Sequence, residues 1–274
     1  MSTPLPLPAI HESPASTGSA ASPSRPRLPP EVLMSILSVL SIVGLWYFAT
    51  LFLPPSVLPP PHTVLTAMHE LANTSELWSD IGISLWRIAL AFVVGMGISL
   101  VLGFAMAVSP RAGMFFRVWV VCGITVPAIV TILTVYMIIG MNDRAAVIGA
   151  AITVVPFLTI NIRESIKGID TRLIQMGRIF RAGRMQMIRS VILPQVAPML
   201  LASSRFGLGL VWKMVLFVEL LGRSSGVGYR IEYYFQMFDM TQVLAYALSF
   251  LVVMMFIEVF VFGLVEKHIF RWRR

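Results

Sequence analysis

The chain has 274 residues, of which 57% are hydrophobic and only 12% charged, with a mean hydropathy of +0.83; soluble domains carry about a quarter charged residues, so an ordinary soluble globule is excluded and a polytopic membrane protein is indicated. The formal net charge of +8 does not point to nucleic acid, because the basic residues are confined to short segments between apolar runs, the distribution that sets orientation in a bilayer. The single cysteine, Cys122, excludes an intrachain disulfide and reads as a buried packing thiol, and the four histidines form no HxxxH or HExxH spacing, so a metal site has no support.

Residues 1–30 are rich in Pro, Ser, Ala and Thr and cannot bury enough apolar surface to order themselves, so they read as a disordered tail ahead of a membrane domain over 31–274. The apolar run after Arg25 and Arg27 is too long for a cleaved leader and reads as a first span, about Val32 to Leu53, ended by Pro54 and Pro55. Between Ser56 and Gly82 a proline-bounded turn leads into a short amphipathic helix at the interface, with Trp78 and Trp86 at suitable depth. A second span covers about Ile83 to Val108, where Gly95, Gly97 and Gly103 permit close helix contact, and SPRAGMFFR follows as a short basic loop. The third span, about Val118 to Ile139, and the fourth, about Ala145 to Ile162, carry Pro127 and Pro156, which predicts kinks. A fifth span lies near Leu200 to Leu221 and a sixth near Val243 to Val265, separated by a polar segment and followed by a basic end.

The long polar interruption is 163–198. Ile166, Ile169, Leu173, Met176 and Phe180 recur at steps of three and four, the spacing of one narrow helical arc, with Lys167, Arg178 and Arg181 outside it. Gly183 punctuates the helix, a second short amphipathic run follows, and Leu193-Pro194 stops the pattern. Amphipathicity and charge alone allow this loop to rest on lipid headgroups or to face another protein. Six spans put both termini on one side, which holds fifteen Lys and Arg, seven of them in the loop, against four on the other. That bias places the termini and the loop in the cytoplasm.

Over roughly Leu45 to Glu266 the sequence resembles the inner-membrane permease subunits of binding-protein-dependent ABC importers, in the nitrate/sulfonate/taurine branch. The resemblance rests on the loop, with Gln175-Met176-Gly177, Arg181 and a Leu193-Pro194 ending, and on LPPPHTVLTAM, ELWSDIGISLWRIALAF, Val126-Pro127, Ile139-Gly140, Asn161 and VELLGRSSGVGY in the expected order. Gln175 stands where such permeases usually have an acid and Arg181 where they usually have glycine, with Gly183 two positions on.

The resemblance implies an all-α membrane protein of six spans in the type I ABC importer permease fold, with a cytoplasmic coupling helix near Asp170 to Phe180. Two cytoplasmic ATP-binding subunits would dock on it, a periplasmic solute-binding protein would dock opposite through Ser56 to Gly82 and Gly222 to Thr241, and a second permease copy would complete a homodimer in the bacterial inner membrane. The chain has no GxxxxGK loop of its own, so ATP and Mg are expected only on the partner, and no catalytic residue is assigned. The expected coupling residues are Asp170, Leu173, Gln175, Met176, Gly177, Phe180, Arg181, Gly183, Leu193 and Pro194.

Ionisable residues within spans are the default candidates for solute contact, because a charge in lipid is costly, and Arg205, Lys213, Glu219 and Glu258 qualify. Arg205, Lys213 and Glu219 lie on one side of an ideal helix and can all face the bundle interior, where a cation would suit an anionic solute; the resemblance implies one of sulfonate, taurine, nitrate or aromatic carboxylate type. The same residues allow Arg205 to snorkel to one interface, Glu219 to sit at the other, or Lys213 and Glu219 to pair. Met240, Met254, Met255, Tyr233 and Tyr234 read as packing. A self-contained secondary transporter or channel is the competing class, but no internal repeat is evident. An intramembrane enzyme lacks paired aspartates, a serine and histidine pair or a metal cluster in any span.

Overall fold

A computed structural model describes residues 30–269, and among these every regular element is helical. The elements are α1 (Pro30–Thr50), α2 (Pro61–Ala72), α3 (Ser75–Val108), α4 (Pro110–Thr125), α5 (Ala128–Ile139), α6 (Asp143–Lys167), α7 (Thr171–Ile179), α8 (Arg184–Met187), a π-helical turn (Ile188–Ile192), α9 (Leu193–Gly222), α10 (Val227–Gln236) and α11 (Met240–Ile269). The expected tail of residues 1–30 falls almost wholly outside the described residues. The described residues up to Leu45 form one unit, an apolar helix long enough to span a bilayer together with its last turn, and those from Trp46 on form a second unit. Among the described residues, five helical stretches are long and apolar enough to cross a membrane, or six if α4 and α5 count as one bent span.

Within the second unit α6 is central and packs on α3, α4, α5 and α9. Its neighbours approach closely because small residues line the contacts: a Cβ on Gly103 of α3 would lie 2.8 Å from Ile162 Cγ2, and one on Gly123 of α4 would lie 2.5 Å from Pro156 Cγ. Gly97, expected to share that role, has open space around it. The shared core runs through Ile88, Ala91, Ala146, Ala150, Val154, Leu158, Val211, Val215 and Val218. The expected interfacial helix is α2, with Pro61 in its first turn and Pro61, Val64, Ala67 and Leu71 as its buried face.

Several boundaries differ from expectation, each for a local reason. The third span is not one kinked helix but two, α4 and α5, at 99° to each other across Val126-Pro127. The expected basic loop SPRAGMFFR is instead the start of α4, where Pro110 needs no N–H partner and the Ser109 hydroxyl accepts from Ala112 N–H at 3.3 Å. The single arc from Ile166 to Phe180 is divided: α6 ends at Lys167, and Asp170 starts α7 by accepting from Arg172 N–H at 2.8 Å. A capping carboxylate makes a new helix start cheaper than continuation. Leu193-Pro194 does not end a pattern; it begins α9, again with proline in the first turn. Cys122 is exposed on α4 rather than buried, while Met254 and Tyr234 do pack, Tyr234 against Tyr246 at 5.5 Å between ring centres, and Met255 is exposed.

Candidate functional site

Where α9 ends and α10 begins, the apolar bundle encloses a polar network. Three polar residues of α3, Asp80, Ser84 and Arg87, follow one another at helical spacing and are buried there, Arg87 to 2% exposure. Glu219 of α9 is 0% exposed. Its carboxylate accepts from Arg87 Nη1 at 2.7 Å, from Ser84 Oγ at 2.8 and 2.9 Å, and from Gly228 N–H at 2.9 Å. Such a buried ion pair is tolerable only because hydrogen bonds satisfy its remaining lone pairs.

Arg87 also reaches Ser225, donating to its carbonyl at 2.7 Å and its Oγ at 2.8 Å, and Asp143 Oδ1 through Nε at 2.9 Å and Nη2 at 2.7 Å. Arg223 meets the same Asp143 oxygen at 2.8 Å. Asp80 takes Gly226 N–H at 3.1 Å and Arg230 Nε at 2.7 Å. Burial works against the Arg230 cation, yet the Asp80 hydrogen bond and charge outweigh it and hold its pKa above the ordinary arginine value. Gly226 adopts φ +102°, and a Cβ there would lie 2.5 Å from Glu219 Oε1, so only glycine lets the backbone fold over the carboxylate. The network joins α3, the start of α6, the end of α9 and the segment 223–230 into one frame.

The other expected solute residues lie elsewhere. Arg205 Nε pairs with Glu258 Oε1 of α11 at 2.9 Å, with both side chains about half exposed. Lys213, in the middle of α9, is exposed and has no carboxylate partner among the described residues; its Nζ lies 5.7 Å from the Trp212 ring centre. Arg205, Phe206, Gly209, Trp212, Lys213 and Glu258 line an open groove of about 520 Å³. Thus Arg205 and Lys213 share a face and Glu219 does not. The face of α9 is uncovered along its middle, whereas at its end α10 and the glycine turn close over Glu219. A Lys213–Glu219 pair does not form, and Glu219 reaches no open groove.

At the opposite end of α9, the loop residues are arranged around a small helix. Asp170 caps α7 and donates its own N–H to Gln195 Oε1 at 2.9 Å, which ties the loop to α9. Gly177 is buried against α8 and the π turn, where a Cβ would lie 2.7 Å from Met187 Cε. Leu173, Met176, Ile179 and Phe180 are exposed, the last two at 80% and 78%, and Gln175 is exposed beside them. At the C-terminus of α7, Ala182 N–H reaches Gly177 O and Arg181 N–H reaches Arg178 O, both at 3.0 Å, with Arg181 at φ +52°. This is a Schellman cap, whose left-handed residue is usually glycine. Gly183, two positions on, caps α8 in extended backbone and does not take that role.

The sequence reading missed Arg87 as a partner of Glu219, along with Asp80, Ser84, Asp143 and Arg230. The available signal was the polar series Asp80, Ser84, Arg87 running along one side of an otherwise apolar span, which is costly unless partners await it inside.

A helical bundle with several apolar spans, a groove lined by Arg205, Lys213 and Glu258 on one span face and an amphipathic loop beyond the spans is the architecture of a polytopic membrane protein. A family model described as the binding-protein-dependent transport system inner membrane component matches residues 95–274, and the chain belongs to that family. A protein named for aliphatic sulfonates transport as permease protein SsuC, from Bacillus subtilis (strain 168), is 30% identical over 244 residues, covering 89% of this chain and 86% of its own. The taurine transport system permease protein TauC of Escherichia coli (strain K12) is 24% identical over 209 residues, covering 74% and 76%. A solved structure of the MetNI methionine ABC transporter in inward-facing conformations matches with a TM-score of 0.56 at 18% identity, over 71% of this chain and 94% of that one, which shows the type I importer permease fold. The resemblance read from the loop and its flanking motifs is borne out for both family and fold.

Proposed function

We propose that the chain imports a small anion bearing a sulfonate or similar oxyanion group, as one of two identical permease copies that enclose a shared pathway along the α9–α11 groove. The observation that carries this reading is Lys213, a cation in the middle of a span, open to the groove and free of any carboxylate partner among the described residues. A charge on a span face is too costly to leave against lipid, which favours a polar route between copies. The names of the relatives SsuC and TauC refer to sulfonates and taurine, solutes that share one anionic group.

In this reading the termini and α7 face the cytoplasm of a bacterial inner membrane, and two ATP-binding subunits receive Leu173, Met176 and Phe180 in grooves, with Gln175 and Arg178 at the rim. ATP and Mg bind those partners, and this chain contributes no catalytic group. A periplasmic solute-binding protein docks at the α2 and α10 end. Arg205 lines the cytoplasmic end of the groove as a neutral ion pair with Glu258, which leaves Lys213 to supply the groove's net positive charge, and Glu219 serves the frame rather than the solute.

The test is uptake by proteoliposomes holding the permease, its ATP-binding subunits and its solute-binding protein. Lys213→Ala lowers uptake by about tenfold or more, the factor expected for losing one hydrogen bond to a charged group, with an unchanged melting temperature. Uptake at the wild-type rate removes Lys213 from the pathway.

A further inference from the structure

A second groove, of about 650 Å³, lies between α3 and α6 at the α10 end of the bundle. Its walls are apolar, formed by Ile83, Trp86 and Leu90 of α3 and by Val147 and Ile148 of α6, with Trp78 at its mouth. Trp78 and Trp86 are 55% and 65% exposed, and Trp78 is pinned because its Nε1 donates to Ala72 O at 2.8 Å. Both helices are membrane spans, and indole rings near span ends sit at headgroup level. Arg144 stands at the rim in the first turn of α6, where the helix dipole disfavours a cation.

The charges at this rim are unequal. Asp143 is engaged by Arg87 and Arg223. Arg144 is exposed and makes no hydrogen bond or ion pair with any other described residue. A slot that is apolar below, aromatic at its mouth and cationic at its rim matches an amphiphile with hydrocarbon chains and an anionic head. A second apolar span laid there would instead press hydrocarbon against the unpaired guanidinium.

We infer that the α3–α6 groove binds a phospholipid with a net anionic headgroup, its phosphate on Arg144 and its acyl chain along Trp86, Leu90 and Ile148. This inference does not depend on the solute or on which side of the membrane α10 faces. The lipid lies over Arg87 and Asp143, so it covers the edge of the buried frame.

The test uses the full chain purified in detergent and titrated with phosphatidylglycerol or phosphatidylcholine carrying the same brominated acyl chains. The readout is tryptophan quenching that disappears in Trp86→Phe. Phosphatidylglycerol is expected to reach half-maximal Trp86-dependent quenching at about fivefold lower concentration than phosphatidylcholine, the factor given by about 1 kcal/mol per arginine near an anionic lipid. Arg144→Gln abolishes the preference and Arg144→Lys keeps it. As a second measurement, native mass spectrometry of the wild-type chain in an equimolar mixture of the two lipids shows phosphatidylglycerol retained in excess. Equal midpoints for the two lipids in the wild type mean bulk solvation without headgroup recognition and overturn the inference. Absence of Trp86-dependent quenching by either lipid means that protein, such as a second copy, covers the groove, and overturns it as well.

Discussion

The two ends of α9 are built on opposite principles. At the α10 end, Glu219, Arg87, Asp80 and Ser84 are buried and bonded several times over, and a glycine turn closes on them. At the α7 end, apolar side chains stand in the open, one small helix rests on a single buried glycine, and the cap places an arginine in a left-handed conformation. At the first end the Glu219 carboxylate is met by donors from the chain itself, whereas the second leaves apolar side chains exposed.

The largest effect is expected where burial is deepest. Glu219→Ala leaves Arg87 buried with only part of its compensation and Gly228 N–H without an acceptor, and a loss of about 3 to 5 kcal/mol is expected for breaking such a pair. Leu173→Ala, at the exposed end, is expected to change stability by less than about 0.5 kcal/mol. Thermal unfolding of both variants in detergent measures the contrast, and similar shifts for the two erase it. Gly226→Ala comes next: its positive φ and the clash with Glu219 together predict a loss of roughly 1 to 3 kcal/mol. A neutral Gly226→Ala breaks the account of the turn as a lid over the carboxylate.

The smallest effect runs the other way. Arg181→Gly removes the left-handed penalty of an L-residue and is expected to stabilise the α7 cap by about 1 kcal/mol. Slower hydrogen exchange at Ala182 N–H, which closes the cap on Gly177 O, reports it. An unchanged exchange rate shows that the cap carries no strain.

These contrasts follow what was legible in the sequence. Apolar runs and prolines mark the spans and α2, because hydropathy and chain punctuation are local properties. The break between α4 and α5 was read only as a kink, since Pro127 marks a break without giving its angle. The frame was not legible as a frame: Arg87 and Glu219 lie 132 positions apart, and nothing local joins them. Arg181 shows the reverse case, a residue whose oddness was visible in sequence but whose meaning needed the backbone. The position calls for left-handed geometry, and Gly183 lies two residues too late to supply it.

The central claim is that the exposed α7 stripe is a partner surface and the Glu219 frame is not. Met176→Glu tests it most directly, because Met176 is half exposed and its replacement leaves the core intact. In the complex reconstituted with ATP-binding subunits and solute-binding protein, the account predicts that solute-stimulated ATP hydrolysis falls to near its basal rate, while the melting temperature of the isolated chain stays at the wild-type value. Wild-type stimulation in the Met176→Glu complex would contradict it.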